Sequence, residues 1–133
     1  KALAGPGAEV DVLAALAACV GLVLAATPAS AKDGDVLVAG KCSRATTSKL
    51  KLSEENGRIE VEFEVDQNRS GVRWTVSLTR NGTRFARLVR TTRPPSGSFE
   101  ARALARNGAG AEVIRGRAVS PSDEVCTARA TWR

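Results

Sequence analysis

Between Arg58 and Val65 the chain reads RIEVEFEV, with Ile59, Val61, Phe63 and Val65 alternating with Glu60, Glu62 and Glu64. A period of two puts the apolar side chains on one face of a strand and the carboxylates on the other. GVRWTVSLT repeats the pattern with Val72, Trp74, Val76 and Leu78 inward. SFEARALAR does so with Phe99, Ala101, Ala103 and Ala105, and VCTARATW with Cys126, Ala128, Ala130 and Trp132. DVLVAGKC, SKLKLS and AEVIRGRAV are weaker strand signals. Turn-forming clusters separate them: EENG (54–57), DQNRSG (66–71), NG (81–82), RPPSG (93–97), NGAG (107–110) and SPSD (120–123). Seven or eight short strands with a turn roughly every 8–12 residues describe an all-β, antiparallel sandwich or barrel, and the expected fold is an immunoglobulin-like β-sandwich.

The first 31 residues carry a different pattern. Val12 to Ala26, VLAALAACVGLVLAA, is apolar and uncharged, and Ala29 and Ala31 supply the small-x-small signature read by signal peptidase. A run of about 15 residues suits a helical signal-peptide core and is short of the about 20 that span a bilayer. The expected division is therefore a signal peptide over 1–31, cut after Ala31, and a domain over 32–133 with no transmembrane span, secreted or held at the cell envelope. The stretch KALAGPGAEVDV lacks the positive segment that usually precedes such a core. Leu16 to Cys19, LAAC, matches the box before a lipidated cysteine, but apolar residues continue past Cys19, which favours the cut after Ala31.

Removing 1–31 takes away Lys1, Glu9 and Asp11, so the remaining 102 residues carry +7 against +6 for the whole chain. Two cysteines remain, Cys42 and Cys126, and an even pair in an exported chain reads as one disulfide. Closing so long a loop is worth about 4 kcal/mol in the chain-entropy account. Such a staple would tie the first strand to the last. The bridge of antibody domains instead brackets a nearby Trp, so the likeness is one of architecture only.

Five arginines, Arg80, Arg84, Arg87, Arg90 and Arg93, lie in TRNGTRFARLVRTTRPP (79–95). Asn81-Gly82 breaks any helix through this stretch and predicts a two-residue hairpin, because a type I′ turn needs positive φ at both central residues. Simple pairing around it sets Leu78 opposite Phe85 and Val76 opposite Arg87, and it sends Arg84 and Arg87 to opposite faces. An inward Arg87 is implausible, so a bulge, a twist away or an edge strand is expected. Around the preceding turn the same logic sets Glu64 opposite Arg73.

Together DGDVLVAGKCS, KLKLS, RIEVEFEVDQNRSG, the RNGT hairpin, RTTRPPSGSFEAR and CTARATW resemble small exported β-sandwich proteins of high-GC Gram-positive bacteria. The likeness covers residues 33–132 and implies the fold, export and the Cys42–Cys126 pairing. That group has no assigned activity, so it implies no site residues. It does offer a coding-bias reason for 15 of the 20 basic residues being Arg.

Catalytic chemistry finds little to work with. The chain has no histidine, the commonest general base, and no G-x-S-x-G. Glu60, Glu62 and Glu64 line one strand face, where a glycosidase needs two carboxylates across a cleft. Asp66, Asn68, Ser70 and Gly71 match the opening of a calcium loop, but position 12 is Ser77, Arg69 intrudes, and these are ordinary turn formers. No metal, cofactor or catalytic residue is therefore assigned, and the expectation is a non-enzymatic binding module. Loop 91–98 exposes Arg93 in the manner of a protease inhibitor, but Pro94 after it opposes productive docking. The short side chains of Ala101, Ala103, Ala105, Ala128 and Ala130 leave room for a small-molecule carrier's apolar cleft. A +7 domain attracts polyanions. Two Trp, three Phe and no Tyr offer little for base stacking, which argues against nucleic acid. The expected partner is an anionic envelope polymer, or another envelope protein, held by Arg80, Arg84, Arg87, Arg90 and Arg93.

Overall fold

A computed structural model describes residues 31–133; the expected signal-peptide core and Cys19 lie outside the described residues. Nine strands are present: β1 (Val36–Ala39), β2 (Lys41–Cys42), β3 (Thr47–Glu55), β4 (Arg58–Asp66), β5 (Arg73–Arg80), β6 (Thr83–Thr91), β7 (Ser98–Ala105), β8 (Glu112–Val119) and β9 (Val125–Trp132). They form two antiparallel sheets, one ordered β1-β3-β4-β7 and the other β2-β9-β8-β5-β6. No helix occurs among the described residues.

The inward faces are those the alternation predicts. Leu50, Leu52, Ile59, Val61, Phe63 and Val65 of the four-stranded sheet are fully buried, as are Trp74, Val76, Leu78, Ile114 and Cys126 of the five-stranded one. The two faces pack into one cluster, a β-sandwich. Phe63 is the plug between the layers: a Cβ on Gly116 would come within 2.9 Å of its ring, so β8 carries a glycine where the ring presses in. Trp74 and Phe99 meet across the layers with ring centroids 6.3 Å apart. The buried Trp74 indole N–H donates to Gln67 Oε1 at 3.2 Å.

DVLVAGKC is two strands, not one. The chain changes sheets at Gly40, where a side chain would collide with Ser48. β2 then pairs with β9, and Cys42 stands directly opposite Cys126, bridged by the disulfide with Cα atoms 4.0 Å apart and a sequence separation of 84. The staple joins neighbouring strands of one sheet at the start and end of the domain.

Two pairing expectations are corrected. Glu64 does not face Arg73: DQNRSG is a crossover between layers, so β4 and β5 lie in different sheets. Glu64 instead sits opposite Lys49 and Glu100. In the β5–β6 hairpin, Asn81 (φ 50°) and Gly82 (φ 86°) make the turn, and the register then shifts so that Thr79 faces Arg84 and Leu78 faces Ala86. Phe85 is the extra residue of a bulge. Val76 consequently faces Leu88 rather than Arg87, and Arg87 faces Ser77. The bulge also reverses the parity argument: Arg84 and Arg87 share the outer face.

Candidate functional site: a carboxylate-free cationic sheet face

Alternation assigns each strand residue to the core or to the outside, and pairing register aligns the outside positions into rows. On the five-stranded sheet one row runs Arg84–Thr79–Arg115–Arg129, and the next Arg87–Ser77–Arg117–Thr127–Lys41. Arg73 adds a further cation opposite Thr91. These seven cations are all exposed, and among the described residues none is within ion-pair distance of a carboxylate. No outer position of this sheet is acidic; Glu112, the one carboxylate in its strands, points inward and is 1% exposed. Arg115 and Arg129 stand directly opposite each other, a like-charge pair that costs stability.

Two concavities lie on this face. One of about 530 Å³ is lined by Lys41, Ser77, Thr79, Arg115, Arg117 and Arg129 together with Val38 to Gly40. The other, about 510 Å³, includes Arg73, Thr75, Ser77, Arg87 and Arg117. Ser77 and Arg117 belong to both, so the depressions share a wall. Of the β5 hydroxyls, Ser77 lines both, Thr79 the first and Thr75 the second.

The opposite face is built differently. The strands of the four-stranded sheet hold seven carboxylates and four cations, against one carboxylate and nine cations in the five-stranded sheet. There Lys49 pairs with Glu64 at 3.3 Å, and Arg102 reaches Glu60, Glu62 and Glu100 at 3.6, 3.4 and 3.1 Å. Burial, reinforced by the neighbouring Glu100 charge, pushes the Glu62 carboxyl above the ordinary glutamate value, while Arg102 and Lys51 pull it back in part.

The five arginines singled out in sequence do not act as one set. Arg84 and Arg87 lie on the cationic face. Arg80 points inward and is committed to Glu112: its Nη2 donates to Oε2 at 3.1 Å, and its Nε lies 2.9 Å from Oε1 with the N–H aimed elsewhere. Glu112 also accepts from Asn81 Nδ2 (2.7 Å) and from the Gly108 N–H (2.6 Å). The Arg80 hydrogen bond, helped by those from Gly108 and Asn81, holds the Glu112 carboxyl below its ordinary value against the opposing effect of burial. This cluster ties the β5–β6 turn to the loop before β8. Arg90 falls on the inner parity opposite Trp74, and its Nη1 donates to the Val89 carbonyl at 2.9 Å. A cation placed there covers the sheet's open edge. Arg93 lies in the loop after β6, beside a separate hollow lined by Val89, Arg90, Thr91, Phe99 and Glu100.

Asp66 Oδ1 accepts from the Asn68 N–H at 3.1 Å, and Asn68 has φ 58°, which is the Asx-turn use of these residues; Ser70 is exposed beside them. Among the described residues no three of His, Cys, Asp or Glu gather in metal-binding reach. Loop 91–98 closes on itself: Gly97 N–H donates to the Arg93 carbonyl at 2.8 Å, and Arg93 N–H to the Ser98 carbonyl at 3.0 Å. Ala101, Ala105, Ala128 and Ala130 are buried and Ala103 is half-buried, and Ala128 with Gly116 also lines the concavity of about 530 Å³. Lys41, Arg73, Arg115, Arg117 and Arg129 were not singled out in sequence. A signal was there, since Arg115 and Arg117 alternate with Ile114, Gly116 and Ala118. The chain matches no protein-family model and no curated protein.

Proposed function

We propose that this protein is an exported, non-enzymatic binding module that holds anionic polymers of the cell envelope on the outer face of its five-stranded sheet. One observation carries the reading: seven exposed cations share a face with no carboxylate, while the carboxylates of the strands gather on the other side. Solvated surfaces ordinarily intersperse charges of both signs, as the four-stranded sheet does; a single-sign field attracts opposite charge from solution. Export is supported by the Cys42–Cys126 disulfide, which belongs to oxidising compartments.

The immunoglobulin-like architecture belongs to the same reading. The order β9-β8-β5-β6 follows the G-F-C-C′ order of such sandwiches. Co-sedimentation of the purified protein with cell-wall and membrane fractions across a salt series tests the function. Binding that falls steeply with salt supports it, and no binding at low salt refutes it.

A further inference from the structure

The cationic face has an internal order that narrows its ligand. Two rows repeat one arrangement across β6, β5 and β8: Arg84–Thr79–Arg115 and Arg87–Ser77–Arg117. Each places a short hydroxyl between two arginine positions. Strand spacing separates the arginine Cα atoms of a row by about 10 Å, and the rows lie about 7 Å apart along β5. The next row, Val89–Thr75–Val119, carries no charge, and in the other direction the sheet ends at the Asn81-Gly82 turn. The face therefore presents two anion cradles in line.

Resting on the reading above, we infer that these cradles seat successive phosphates of a linear phosphodiester polymer with a short polyol between phosphates. Three features select this class. A phosphodiester offers its two free oxygens to opposite banks, so that each guanidinium of a row donates to one of them while the β5 hydroxyl between the two donates to the same anion. A carboxylate has both oxygens on one side and serves one fork. The face also lacks the groups that other phosphates require. Trp74, Phe63, Phe99 and Trp132 are buried and Phe85 packs against the core, so nothing on it stacks a base. Its apolar side chains, Val89, Val113, Val119 and Val125, are half-buried and give no anchor into a bilayer. Finally, the unrelieved Arg115–Arg129 opposition means that a bound anion removes a repulsion already present.

The test compares full-chain protein binding to poly(glycerol phosphate), to polyglutamate of matched charge, and to phosphatidylglycerol vesicles, by anisotropy or calorimetry at low salt. Poly(glycerol phosphate) should bind about tenfold or more tighter than polyglutamate, because each phosphate engages both arginines of a row. Replacing Arg84, Arg87, Arg115 and Arg117 together by Lys keeps every charge and should erase that preference, whereas Arg102→Lys, on the opposite sheet, should keep it. Equal affinity for polyglutamate, a preference that survives the fourfold Lys variant, or tighter binding to vesicles at equal phosphate overturns the phosphodiester assignment while leaving an anion-binding face. Binding to none of the three overturns both readings.

Discussion

The two outer faces of the sandwich are made by the same alternation from the same kind of strand, yet they handle charge in opposite ways. On the four-stranded sheet, Lys49, Lys51 and Arg102 stand among Glu60, Glu62, Glu64 and Glu100, and most of these charges are within ion-pair reach of an opposite one. On the five-stranded sheet, Arg84, Arg87, Arg115, Arg117 and Arg129 stand among threonines, serines and valines. Net charge averages these two surfaces into one figure and hides both. Exposed ion pairs contribute only about 0–1 kcal/mol each, so the difference is of little consequence for stability. Its consequence is for what each face attracts.

The largest expected effect treats both faces alike. Phe63→Ala empties the plug between the layers and should cost about 3–5 kcal/mol in denaturant unfolding. Both sheets should melt in one transition, seen as coincident curves from far-UV circular dichroism and from the fluorescence of Trp74 and Trp132 in the five-stranded sheet. A loss below about 1 kcal/mol would mean that the layers hold without their shared core, and the faces would have to be treated as separate units.

The next experiment sets the faces against each other at equal net charge. Arg87, Arg115 and Arg117 changed together to Gln should weaken polymer binding about 100-fold or more at moderate salt, with no fall in Tm. Lys49, Lys51 and Arg102 changed together to Gln lower the net charge by the same amount and should leave binding within about threefold. Equal losses in the two variants would show that total charge, rather than its placement, governs attraction.

A smaller effect separates two buried glutamates, one from each sheet. Glu112, held low by Arg80, contributes stability that is complete above the ordinary glutamate value and is lost as pH falls through its folded value. Glu62, pushed up by burial and Glu100, contributes stability that is complete below the ordinary value and is lost as pH rises through its folded value. The Tm deficit of Glu112→Gln should therefore be greatest at neutral pH and shrink toward about pH 3, whereas Glu62→Gln should gain on wild type as pH rises over the same range. Parallel pH profiles for the two variants would erase the distinction.

The smallest effect is local. Arg129→Thr removes the like charge facing Arg115 and should stabilise the protein by about 0.2–1 kcal/mol while slightly weakening polymer binding. Destabilisation would mean that the two arginines are not in opposition in solution.

Much of this was legible before any coordinates. The alternation in RIEVEFEV and VCTARATW assigned their inward residues, and Asn81-Gly82 marked its hairpin, because both are properties of a few adjacent residues. DQNRSG was not legible in the same way. Its turn chemistry is the same whether the chain returns to the neighbouring strand or crosses to the other layer, and only the crossing separates Glu64 from Arg73. The bulge at Phe85 could be anticipated from the misfit of Arg87, but its position decides that Arg84 and Arg87 share a face.

The site divides along the same line. The arginines clustered in 79–95 drew notice because they are close in sequence, yet the fold sends Arg80 into a buried ion pair and Arg90 over a sheet edge. Their places are taken by Arg115, Arg117, Arg129 and Lys41, brought from as far as the opposite end of the domain. By itself the sequence determined which side chains are inward and which outward, since a strand's period of two is local geometry. Tertiary structure alone decided which outward side chains are neighbours, because strand order follows from burying two apolar faces against each other and closing every ladder across long loops.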